Sequence, residues 1–338
     1  MVVFLHNPFL PNVNFPSIAN FSHTITTEYF LKLITESIPM AAVPCFFFIS
    51  GFLFFLNIKN FDKATYKNKI SRRIYSLAIP YFIWNIIYVI NDIACNYAFK
   101  SNSIVSVINE YFDQHSFIDI FIAPIDGPLW YVRDLMTLCI LSPIFYIILR
   151  KRKGGFFLIL LYLIANLSNT RPNLAPSVFF YFLAGAFLSI KNLNIIKTFR
   201  HFEVAFYAIS ILSLFIVTLR PNHFFIHLYF ISAIISLFNI ASHILETGAV
   251  KIQNFLTQSV FFILAFHANP ILTLYNELHI PTKAAELMGG GIMYLFGDLL
   301  TPIVKIIFCL IIFALLKKIA PGFTNMLIGK RKNKSILK

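Results

Sequence analysis

The sequence predicts an all-α protein, a polytopic bundle of transmembrane helices with about ten spans, the first truncated at the N-terminus. Three observations predict it. Hydrophobic residues make up 58% of the 338 residues and charged ones only 12%, with a mean hydropathy of +0.75, a balance foreign to water-soluble domains. Apolar runs long enough to cross about 30 Å of hydrocarbon recur along the whole chain. Basic residues gather in short clusters between alternate runs, as they do in loops retained on the cytoplasmic face.

Met1 to Leu5 reads as the tail of a first span, because it rises only about 7.5 Å along a helix before Pro8 and Pro11 break it. Nine full spans follow, at 38–57, 74–95, 129–149, 155–168, 175–190, 204–219, 223–245, 258–276 and 292–316. The 40 Phe and 15 Tyr allow helices that are apolar all round, with aromatic anchors at headgroup level. Lys59, Lys63, Lys67, Lys69, Arg72 and Arg73 form one basic cluster, and Arg150, Lys151, Arg152 and Lys153 another. With these two on the cytoplasmic side, Lys191, Lys197, Arg200, Lys251, Lys317, Lys318 and the basic tail from about 317 to Lys338 fall on the same side. The loops at 7–37 and 96–127 carry Glu28, Glu36, Glu110, Asp113, Asp119 and Asp126 and are expected outside. The alternation requires a span before residue 7.

The net charge of +14 does not mark a nucleic-acid protein, since the basic residues sit in loops rather than along one face. Cys45, Cys139 and Cys309 lie inside apolar runs and Cys95 at the end of one, so no disulfide is expected. Met1 to His6 lacks the basic region and cleavage site of a signal peptide, so the spans themselves direct insertion. No metal site is expected, because the nine His are dispersed and no His-Glu-x-x-His or close Cys pair occurs. With no internal repeat, residues 1–338 read as a single membrane domain, against an inverted-repeat transporter.

Polar residues inside spans are costly, so each is a functional candidate. His6 is either a general base, with an ordinary pKa of about 6.5, or an interfacial histidine beside a proline-rich turn. Ser50 and Gly51, in Phe47-Phe48-Ile49-Ser50-Gly51, admit either a ligand or a neighbouring helix at close range. Arg72 and Arg73 offer guanidinium forks for phosphate, or simply anchor the helix among headgroups. Gly127-Pro128-Leu129-Trp130-Tyr131-Val132-Arg133-Asp134 opens a span with two belt aromatics and a charge pair, which either faces a polar cavity or orients the helix. His267 lies well inside the run at 258–276 and either lines a cavity or bonds a neighbouring carbonyl; His227, near the outer interface, is a weaker candidate.

These residues together resemble acyltransferase family 3, bacterial inner-membrane proteins that include O-antigen and exopolysaccharide O-acetylases. The resemblance runs through most of the chain. It rests on Phe47-Phe48-Ile49-Ser50-Gly51, Arg73 with Ile79-Pro80-Tyr81-x-x-Trp84, Gly127-x-Leu129-Trp130-Tyr131, Phe182-Leu183-x-Gly185, and Ser259-Val260-Phe261-Phe262 leading to His267. It implies ten spans and transfer of an acyl group, acetyl most commonly, from cytosolic acyl-coenzyme A to a hydroxyl of a surface polysaccharide or its lipid-linked precursor. No permanently bound cofactor is implied.

By the same resemblance His6 is the catalytic base, Arg72 and Arg73 hold the coenzyme A phosphates, and Ser50 and Gly51 let the pantetheine arm pass. Trp130, Arg133 and His267 line the cavity or stabilise charge on the thioester oxygen. The chain departs from the family at two points. The arginine that precedes the histidine about three turns earlier would fall upstream of Met1, and the second arginine of the basic motif is replaced by Ser76. The rival reading is a polysaccharide or lipid-linked oligosaccharide flippase, which needs the same spans and basic face but no acyl chemistry.

Overall fold

A computed structural model describes residues 2–5, 29–30, 32–58, 60–100, 103–167, 176–248, 253–272 and 292–330, and every regular element among them is a helix. In chain order these are α1 (Val2–Leu5), α2 (Ala42–Phe55), α3 (Lys63–Arg73), α4 (Ile79–Lys100), α5 (Ile104–Gln114), α6 (Phe117–Phe121), α7 (Trp130–Ile140), α8 (Ser142–Arg150), α9 (Gly154–Leu167), α10 (Pro176–Ile190), α11 (Ile195–Phe199), α12 (Glu203–Leu219), α13 (His223–Glu246), α14 (Asn254–Phe266), α15 (Ile292–Ile319) and α16 (Pro321–Leu327). Each of the nine expected spans overlaps a helix among the described residues, but the run at 129–149 is divided at Leu141 and the helix in the run at 258–276 ends at Phe266. By length and composition five of them cross a membrane unaided: Leu33–Phe55, Lys63–Ala98, Ile195–Leu219, His223–Glu246 and Leu300–Ile319. A sixth is the pair Gly127–Ile140 and Ser142–Arg150, bent by 60°. Leu53, Ile86, Ile90, Leu212, Val260, Ile307 and Ile311 expose their side chains on these helices, the inverse of a water-soluble surface.

Local chemistry places the helix ends. Asp62 accepts from the Thr65 N–H at 2.8 Å to start α3, and these bonds hold its carboxyl below the ordinary range. Ser103, Asn194 and Asn222 cap α5, α11 and α13 in the same way. Pro143, which has no N–H, accounts for the break at Leu141. A widened π-type turn over Ile74–Ala78 joins α3 to α4 and accommodates Pro80, whose ring would otherwise meet the Ser76 carbonyl four residues back.

The chain forms two compact units, Met1–Lys67 with Leu138–Lys251, and Asn68–Thr137 with Ile252–Lys338. In the first, α2 and α10 pack backbone to backbone. A Cβ on Gly51 would lie 1.9 Å from the Phe182 carbonyl oxygen, and one on Gly185 would lie 2.0 Å from that of Phe48, so only glycine fits either place. Phe55, Phe61 and Tyr146 stack beside them, with ring centroids 5.1–6.2 Å apart. Lys191 donates to the carbonyls of Arg150 and Lys151, and Arg200 pairs with Glu246. The segment after α10 therefore lies at the basic end of α8, and Arg200 at the C-terminal end of α13.

In the second unit Trp84 of α4, Phe262 of α14 and Phe313 of α15 pack in series, with centroids 5.2 and 5.5 Å apart. The stretch 96–127, expected as an outer loop, carries two short helices among the described residues. After α4 ends at Lys100, α5 runs back along it and buries Val107 and Tyr111, one turn apart. The segment around α6 reaches the first turn of α4, where Tyr81 donates to the Phe121 carbonyl at 2.8 Å and Phe82 meets Phe121 at 5.5 Å. Both helices are too short, and too interrupted by Glu110, Asp113 and Asp119, to read as spans. Their apolar faces nevertheless pack against α4.

Candidate active site

Arg72 and Arg73 end α3, Arg72 exposed and Arg73 half-buried. About 12 Å further along the helical path, at Tyr81, begins a polar cluster that the turn after α6 completes. Arg133, expected to face a polar cavity or to orient its helix, pairs with its neighbour and with the chain after α6. Its Nε donates to Asp134 Oδ1 at 2.8 Å and its Nη1 to the Ile122 carbonyl at 3.2 Å, so the guanidinium ties α7 to the turn that follows α6. Trp130, half-buried, opens α7 directly after the turn Gly127–Leu129, which packs on α14.

His267 caps the C-terminus of α14, because Pro270 disfavours helical backbone in the residue before it. The single helix expected over 258–276 thus stops at Phe266, within the described residues. The imidazole is 2% exposed, and its Nδ1 lies 2.9 Å from the Ile263 carbonyl oxygen. A carbonyl only accepts, so Nδ1 carries a proton and donates it to Ile263. Phe266 lies against Trp84, and Asn91 donates to Asn269 Oδ1 at 3.0 Å, which sets His267 beside the middle of α4. The structure therefore brings Arg133, His267 and the turn leading to Trp130 together in one unit, with Arg72 and Arg73 at its basic end. Ser50 and Gly51 belong to the other unit. The close approach expected at Gly51 is present, and what approaches is the Phe182 carbonyl. His6 lies outside the described residues.

Three groups in this neighbourhood escaped the reading of the sequence. Asp126 is fully buried, and neither carboxylate oxygen has a hydrogen-bond partner among the described residues. Asn85, one turn from Tyr81, is fully buried and donates to the Tyr81 carbonyl, leaving its own Oδ1 without a partner among those residues. Lys305, 5% exposed, lies on a buried stripe of α15 with Thr301 and Cys309, one turn to either side. An isolated charge in an apolar run was the available signal for Lys305, and the acid before Gly127-Pro128 the signal for Asp126.

The first unit holds a different kind of space. A cavity of about 410 Å³ is walled by Phe48, Gly155, Leu158, Tyr162, Phe187 and Ile234. Hydrocarbon fits such walls and a sugar does not. On one side of it Tyr181 and His227 share a buried hydrogen bond of 2.9 Å, a pairing their sequence positions did not reveal.

The second unit thus offers cations at one end and buried polar groups, one of them the imidazole of His267, part-way along the helices. Comparison with known proteins agrees in kind. The chain is 27% identical over 201 residues to the succinoglycan biosynthesis protein ExoH of Rhizobium meliloti (strain 1021), a stretch that covers 57% of this chain and 52% of ExoH. The chain thus spans about half the length of that curated relative. No solved structure matches it. The family model described as an acyltransferase domain, that of acyltransferase family 3, matches residues 1–318. The protein therefore belongs to acyltransferase family 3.

Proposed function

We propose that the protein is an O-acyltransferase of the bacterial cytoplasmic membrane, moving an acyl group, acetyl first, from cytosolic acyl-coenzyme A to a hydroxyl of a surface polysaccharide or its lipid-linked precursor. The family match over residues 1–318 carries this reading, and a relative named for succinoglycan biosynthesis supports a glycan acceptor. The alternation of basic and acidic loops along the sequence supports a ten-span topology with the C-terminus in the cytoplasm. Arg72 and Arg73 bind the donor's phosphates there.

His6 takes the proton of the acceptor hydroxyl as its oxygen attacks the thioester carbonyl. The carbon–sulfur bond breaks, and the coenzyme A thiolate leaves and recovers that proton. Arg133 and the imidazole of His267 keep the polar path ordered where the thioester arrives, and Trp130 borders the acceptor side.

The test is coenzyme A release from labelled acetyl-coenzyme A by purified protein in nanodiscs, with a panel of surface sugars. Sugar-dependent release that vanishes in His6→Ala is expected. Absence of release with every donor, and an unchanged His6→Ala, would transfer the reading to the flippase.

A further inference from the structure

The C-terminal turn of the second unit is docked on the arginine-bearing turn. Trp84 Nε1 donates to the Leu327 carbonyl at 3.0 Å, in a buried bond between α4 and the last residue of α16. Two residues on, Gly329 has φ +61° and is buried. A Cβ there would lie 2.4 Å from the Ser76 carbonyl oxygen and 2.8 Å from the Ser76 Cα. The two backbones are in contact. The Lys330 N–H donates to the Asn325 carbonyl at 2.8 Å, so the backbone of the next residue is held as well.

Ser76 lies one turn beyond the two arginines, and its hydroxyl donates to the Arg72 carbonyl at 3.0 Å. The Cα of Lys330 is about 3.8 Å from that of Gly329, and its side chain is exposed on a flexible four-carbon stem. The chain therefore returns, across 254 residues of sequence from Ser76 to Lys330, to set a lysine beside the turn that follows Arg72 and Arg73.

We propose that Lys330 is the third cation of the donor's phosphate site, placed beside Arg72 and Arg73 by the docking of Gly329 on Ser76. The inference rests on the acyltransferase reading. Coenzyme A carries a pyrophosphate and a separate ribose phosphate, more charge than two guanidinium groups neutralise, and an ammonium on a mobile stem serves as a point charge for the remainder.

The test is the affinity of coenzyme A for the full-length protein in nanodiscs, by calorimetry, with the Michaelis constant for acetyl-coenzyme A as a second readout. Lys330→Gln is expected to weaken both about five- to tenfold with kcat retained. Gly329→Val keeps every charge, but valine does not adopt a positive φ and its Cβ meets Ser76, so it is expected to weaken binding as much and to shift Trp84 emission as the turn undocks. Wild-type affinity in Lys330→Gln overturns the inference. Loss in Lys330→Gln with none in Gly329→Val overturns the placement, since the lysine then acts through a long-range field. Wild-type protein that binds no coenzyme A overturns the acyltransferase reading itself, and the inference with it.

Discussion

Gly51 and Gly185 show how a single missing methyl sets a helix contact. Each faces the carbonyl of the other helix at a distance that no Cβ tolerates. Gly51→Ala is therefore expected to cost about 1–3 kcal/mol, the usual range for overpacking, measured as a lower melting temperature with whatever activity survives. Asp126 is the opposite case, a carboxyl held where neither oxygen finds a partner among the described residues. Burying an unpaired carboxylate is costlier than burying a neutral amide of the same shape. Asp126→Asn should raise the melting temperature, by on the order of 1 kcal/mol of stability. If it lowers stability instead, the carboxylate is held by a group outside the described residues.

Elements here are shaped by where a short helix can find a partner. Helices α5 and α6 have too few apolar residues to cross a membrane, and the sequence placed them in an outer loop, yet α5 buries Val107 and Tyr111 and α6 reaches Tyr81 and Phe82. Periodicity alone reads such an amphipathic stretch as interfacial, because the face it buries is defined only by α4. The C-terminal helix α16 depends on a single indole in the same way. Trp84→Phe keeps the ring packing on Phe262 but leaves the Leu327 carbonyl without its donor. The expected cost is about 1–3 kcal/mol, concentrated locally. Limited proteolysis should release the segment after Ala320 faster than in the wild type, with little change elsewhere in the chain.

For the whole molecule, the orientation is the testable quantity. A reporter that folds only in the cytoplasm should function when inserted at 151–153 or fused after Lys338, and fail at 220–222, where a reporter active only outside should work. Agreement at two sites and reversal at the third would show that a span is missing from the count. The helical character of the described residues and the apolar runs that become the long helices were legible in the sequence itself. Burial in lipid is a property of composition, and loop charge is read one segment at a time. The sequence also singled out Arg133 and His267, because a charge or an imidazole in an apolar run is conspicuous. Only the tertiary structure decided the contact of Arg133 with the Ile122 carbonyl, the burial of Asp126 and the return of Lys330 to Ser76. Each depends on contacts between segments far apart in the chain, and the spacing along one helix carries no information about which other helix will close over it.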